Sequence, residues 1–170
     1  SGYPVELMEG RYPLALDYLN GFREELLARA LYRKYHLEAG RPFYSQFNIA
    51  PETFAPFKVV WKRMTTDLIA AVISPPLIPL ETTAFIGAGS ADEAHYLCAV
   101  LNSAPVRDYV RSFSSAGRGF GTPYVVSKIR IPAFECSNPL HRRLAAASQA
   151  LHRAADESLE REIGAWVLQL

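Results

Sequence analysis

The chain has 170 residues, 49% of them hydrophobic and 12% aromatic, and a formal net charge of +1. That length supports one well-buried core better than two ordinary domains, so a single domain is the expectation. The near-neutral balance excludes any argument for a polyanionic partner from overall charge, so local clustering must make that case.

Two cysteines, Cys98 and Cys136, have neither metal-ligand spacing nor the density of a disulfide scaffold, and read as reduced thiols of a cytoplasmic protein. The longest apolar run, residues 68–80, is interrupted by Pro75, Pro76 and Pro79 and falls short of the roughly 20 residues that cross a bilayer, so no membrane partner is expected. The opening Ser1-Gly2-Tyr3-Pro4 has no basic segment followed by an apolar one; no signal peptide is expected, and such a start suits a piece of a longer protein.

In chain order, Ala15, Leu19, Phe22, Leu26 and Ala30 recur at helical spacing and predict one amphipathic helix over 13–36. Gly40, Pro42 and the aromatic group Phe43, Tyr44 and Phe47 end it in a loop. Strands are predicted from Phe57 through Trp61, over 68–73 and over 82–86, separated by polar or proline-rich turns. Ser90 with Glu93 forms a capping box that starts a helix. Ser103 followed by Pro105 starts another, with Val106, Tyr109, Val110 and Phe113 as its apolar positions.

A glycine loop leads into a predicted strand over 124–131, stopped by Pro132. Asn138-Pro139 then opens one long terminal helix, apolar at Leu140, Leu144, Ala147, Leu151, Ala155, Leu159, Ile163 and Trp166. The predicted class is α+β: a small mixed or antiparallel sheet with flanking helices and a long C-terminal helix. Residues 1–137 form the body, and 138–170 form a helix that packs on it or on a neighbouring module.

No catalytic or metal site is expected. Ser74-Pro75-Pro76-Leu77 and Phe85-Ile86-Gly87-Ala88-Gly89 have some likeness to the catalytic turn and cofactor-binding glycine turn of amino-methyltransferases. Leu77, however, offers no π face for an extruded base, and the interval is too short for the βα units of a nucleotide-binding sheet. His36, His95, His141 and His152 are scattered, and His141 and His152 read as solvated residues of a charged helix.

Cations do cluster. Arg107, Arg111, Arg118, Lys128 and Arg130 accompany a single acid, Asp108, with hydroxyls and aromatic residues between them; Lys58, Lys62 and Arg63 surround Trp61. Cations interleaved with hydroxyls are what phosphate contacts use, and an arginine on a loop can reach a guanine edge bidentately. The alternative is that these cations face solvent and Arg118 closes an ordinary turn. Strand alternation places Tyr124, Lys128 and Arg130 on one face, and Lys58 with Lys62 on one face of the earlier strand.

The aromatic loop Arg41-Pro42-Phe43-Tyr44, the strand over 57–64, the helix ending Leu101-Asn102-Ser103, the loop Ser112 to Gly121 and the ending Ser127-Lys128-Ile129-Arg130-Ile131-Pro132 together resemble the TaqI-like C-terminal specificity domain. The resemblance runs from about Tyr12 to Phe134, and is carried by order and spacing more than by any one motif. That domain serves adenine-N6 DNA methyltransferases and fused restriction-modification enzymes.

The resemblance implies a non-catalytic module that selects a sequence in double-stranded DNA. It implies an N-terminal methyltransferase domain of the same parent chain that binds S-adenosylmethionine and methylates adenine, with no cofactor in this piece. The matching DNA-facing positions are Tyr44, Lys58, Lys62, Ser115, Arg118, Tyr124 and Lys128. The rival expectation is a protein-interaction module that docks through the long C-terminal helix.

Overall fold

A computed structural model describes residues 2–46, 51–113 and 121–170. The chain divides into two compact units, Ser1–Ala50 and Pro51–Leu170, each with its own core.

In the first unit the helix expected over 13–36 is several short ones: α1 (Val5–Arg11), α2 (Pro13–Asn20), α3 (Arg23–Ala28) and α4 (Ala30–Tyr35). The break between α3 and α4 has a visible cause. Arg29 adopts an extended backbone (φ −56°, ψ 127°), and its guanidinium donates to the carbonyls of Leu26 (2.9 Å), Phe43 (2.8 Å) and Ser45 (3.1 Å). One side chain thereby satisfies a helix-end carbonyl and ties down the aromatic loop, replacing the backbone bonds that continuous helix would supply. The core here is Met8, Leu16, Tyr32, Phe43 and Tyr44.

In the second unit, β1 (Phe57–Lys62) lies between β2 (Ala70–Ile73) and β3 (Thr83–Ala88) and pairs antiparallel with both. The α+β class and the antiparallel sheet are as the sequence predicts. The register places Val59 and Trp61 with Val72, Ala70, Ile86 and Ala84 on one face. That face packs on α5 (Ala91–Asn102), whose Ala94, Tyr96, Cys98, Ala99, Val100 and Leu101 are all buried. A fully buried leucine such as Leu101 contributes roughly 2 kcal/mol of transfer free energy, so this helix is the centre of the unit.

The capping box forms. The Ser90 hydroxyl accepts from the Glu93 amide (3.1 Å), while the Glu93 carboxylate reaches the Gly89 amide (2.8 Å). Burial raises the Cys98 thiol pKa to about 11, so Cys98 is an inert core thiol.

Because β2 and β3 are both antiparallel to β1 and flank it, they run parallel to each other. Their connection must therefore cross β1. It leaves Ile73 opposite Lys58, returns at Thr83 opposite Lys62, and crosses the sheet face that α5 does not, part of which Glu52 and Ala55 also cover. The proline-rich stretch 74–82 is this strap, and Ser74-Pro75-Pro76-Leu77 is its first turn, closed by a bond from the Leu77 amide to the Ser74 carbonyl (3.1 Å).

Two further expectations change. The strand predicted over 124–131 is instead a single helical turn, α7 (Pro123–Val126), followed by a turn and irregular backbone. Pro123 starts the turn, the Ser127 hydroxyl donates to the Tyr124 carbonyl (2.8 Å), and Val125 and Val126 are both buried in the core. Burial of the valine pair overrides their strand propensity.

The single terminal helix is two, α8 (Pro139–Leu151) and α9 (Glu157–Val167). Asp156 caps the second, its carboxylate accepting from the amides of Ser158 (2.9 Å) and Leu159 (3.1 Å). The reversal lets α9 fold back on α5, α8 and α6 (Ala104–Phe113), where Gly164 lies beside Pro105. His141 on α8 is not solvated. It is 4% exposed, lies 4.6 Å from the Tyr96 ring, and its Nδ1 accepts from the Glu135 amide (3.0 Å). With the Tyr96 hydroxyl donating to the Pro132 carbonyl (3.0 Å), it pins the irregular segment that follows α7. Among the described residues, no helix is long and apolar enough to cross a membrane.

Candidate nucleic-acid interface

The site residues proposed from the sequence separate into distinct environments. Tyr44 belongs to the first unit and is 7% exposed; its hydroxyl donates to the Tyr3 carbonyl (2.7 Å), and its ring meets Phe43 edge-on at 5.0 Å. Burial, with Glu6 and Glu9 adding to it, pushes its pKa upward. It is a core residue of that unit, and a DNA-facing role for it is not what this environment supplies.

Lys58 also differs from expectation. Strand alternation puts it on the same face as Lys62, as predicted, but that face is the one the strap crosses. Lys58 is 1% exposed, and its ammonium donates to the carbonyls of Ala55 (2.9 Å) and Leu77 (3.5 Å). The charge fastens the strap to β1 and is not available to a phosphate.

Lys62, at the end of β1, is exposed. Gly121 approaches it so closely that an added Cβ would overlap the Lys62 carbonyl oxygen and stand 2.8 Å from the carbonyl carbon. The contact is reinforced by the buried indole of Trp61, whose Nε1 donates to the Gly121 carbonyl at 2.9 Å. Arg63, the next residue, is held along the strap by bonds to Thr82 and Glu81. Three residues beyond Gly121 stands Tyr124, 70% exposed, with the Lys128 ammonium 4.7 Å from its ring centroid.

Tyr124 and Lys128 do meet, as the sequence suggests. They do so at i, i+4 spacing, Tyr124 on α7 and Lys128 in the turn that follows it, and not through strand alternation. Ser115 and Arg118 lie outside the described residues.

Of the remaining cations of the 107–130 cluster, Arg107 and Arg111 share α6 and Arg130 is exposed. Arg111 pairs with Asp67 (3.4 Å) and Asp108 (3.6 Å), and Arg107 lines a cavity beside α9. The residues that sequence reasoning missed are Gly121 and Trp61, which set where the loop returns. A glycine ending a glycine-rich loop beside a buried tryptophan is a faint signal, since its partner is 60 residues away. Among the described residues no group of His, Cys, Asp and Glu could hold a metal ion. No protein-family model matches the chain, and no curated protein matches it either.

Proposed function

We propose that this chain is a target-recognition module for duplex DNA, serving an adenine-N6 DNA methyltransferase or restriction-modification protein of the cytoplasm. Methylation and S-adenosylmethionine binding belong to a separate catalytic domain of the same parent. The reading rests on the resemblance in motif order and on one structural observation. Gly121 lies against the carbonyl of the exposed Lys62 at the end of β1, three residues before Tyr124, whose ring meets the Lys128 ammonium. Lys62 and Lys128 supply phosphate contacts, Tyr124 a planar face, and the loop between α6 and Gly121 the base-reading side chains.

Fluorescence anisotropy of the protein with labelled duplexes at several salt concentrations tests this. Lys62→Ala and Lys128→Ala are each expected to weaken binding to all sequences and to lower the slope of log affinity against log salt by about 0.9. Arg118→Ala in the intact enzyme is expected to relax site choice. Absence of binding to any duplex at low salt would remove the reading.

A further inference from the structure

The free edge of the sheet is closed by side chains. On β2 the Ala70 amide donates to the Asn102 side-chain oxygen (2.7 Å), and the Asn102 amide returns a bond to the Ala70 carbonyl (2.9 Å), imitating one rung of a neighbouring strand. The next outward-facing donor, the Val72 amide, is taken by Nε2 of His152 at 3.1 Å. Since Nε2 accepts, the proton of the neutral ring sits on Nδ1, which lies 2.9 Å from the Ser148 carbonyl. His152 thus joins the C-terminal end of α8 to the sheet edge through both ring nitrogens. His95 on α5 stands edge-on to it, with centroids 4.9 Å apart, and its Nδ1 lies 3.1 Å from the Ser148 hydroxyl.

His152 and Ala70 also line a cavity of about 710 Å³, together with apolar residues such as Leu68, Ala99 and Ile163. We propose that the His95–Ser148–His152 cluster is an acid-sensitive latch that fastens edge strand β2 to the α8–α9 turn and holds that wall of the cavity closed at neutral pH. A doubly protonated His152 ring presents an N–H to the Val72 N–H. The bond is lost, and a strand donor is left without its acceptor.

Charged groups of both signs surround the cluster and the cavity. Arg107 of α6, Arg161 of α9 and Arg153 of the turn oppose Glu157 and Glu160 of α9 and Asp92 of α5. Burial first, then His152 and Arg153, lower the His95 pKa against the opposing pull of Asp92. A histidine with a depressed folded-state value contributes stability above its unfolded value of about 6.5, and that contribution is lost as pH falls through the lowered value. His95 therefore adds to release on acidification, which the bond from the Val72 amide to His152 Nε2 carries.

Amide hydrogen exchange followed by NMR, corrected for intrinsic rates, reads the latch directly. Between pH 7.5 and 5.0 the protection of Val72 is expected to fall about tenfold, while that of Val60 on the central strand changes little. In His152→Gln, whose amide oxygen can accept from Val72 without titrating, Val72 protection is expected to be independent of pH. Equal protection at both pH values in the unmodified protein, or the same fall in His152→Gln, overturns the proposal. Should that variant not fold, long-range proton–nitrogen spectra of the unmodified protein decide: the Nδ1–H tautomer of His152 at pH 7.5 supports the latch, and the Nε2–H tautomer refutes it.

Discussion

Gly121→Ala is expected to destabilise the second unit by at least about 3 kcal/mol, among the largest effects of any single methyl group in this protein. The added Cβ would occupy the position of the Lys62 carbonyl oxygen and lie 3.1 Å from the Arg63 Cα, so backbone and not a pliable side chain is in the way. Moving residue 121 outward also breaks the bond from the Trp61 indole (2.9 Å), leaving a buried N–H without its acceptor. Urea denaturation of the variant measures the loss. A change below about 1 kcal/mol would mean that Gly121 does not lie against β1. For recognition, a variant that remains folded should lose DNA affinity together with Lys62→Ala, because Gly121 can no longer lie against that lysine.

The second large effect is expected at Lys58. Lys58→Ala removes a buried aliphatic stem and the ammonium that holds the Leu77 and Ala55 carbonyls, and should cost about 2–4 kcal/mol. Lys58→Met keeps the volume, removes the charge and leaves two carbonyls to water or to local rearrangement. A buried charge replaced by a well-packed apolar group is often tolerated, so a loss of no more than about 1.5 kcal/mol is expected. Neither substitution should alter the salt dependence of DNA binding in the folded protein, in contrast to Lys62→Ala. Denaturation combined with anisotropy checks both points. A Lys58→Met protein of unchanged stability that binds DNA as weakly as Lys62→Ala would return Lys58 to the surface and refute the strap's role.

These two residues also show where sequence reading succeeds and where it stops. Alternation correctly assigns Lys58 and Lys62 to one face of β1. The side-chain caps at Ser90 and Asn138 are legible because a cap bonds within three residues of itself. Breaks inside a continuing apolar pattern are harder. The positions Leu144, Leu151, Leu159 and Ile163 keep helical spacing through the turn between α8 and α9, and only the Asp156 cap records the reversal. The Arg29 break is harder still, since its acceptors at Phe43 and Ser45 are supplied by a loop that must already be in place.

Local chemistry in the sequence determined the α+β class, the three strands between residues 57 and 88, the start of α5 and the start of α8; it also predicted a fourth strand, over 124–131, that does not form. The tertiary structure decided which cations are open. The order β2-β1-β3 sends a proline-rich strap across one sheet face, burying Lys58 and sparing Lys62. Strand order and loop return depend on hydrogen bonds and contacts between residues tens of positions apart, such as Trp61 with Gly121 and Val72 with His152. Propensity and periodicity report only on neighbours along the chain, so no pattern within a short window carries that information.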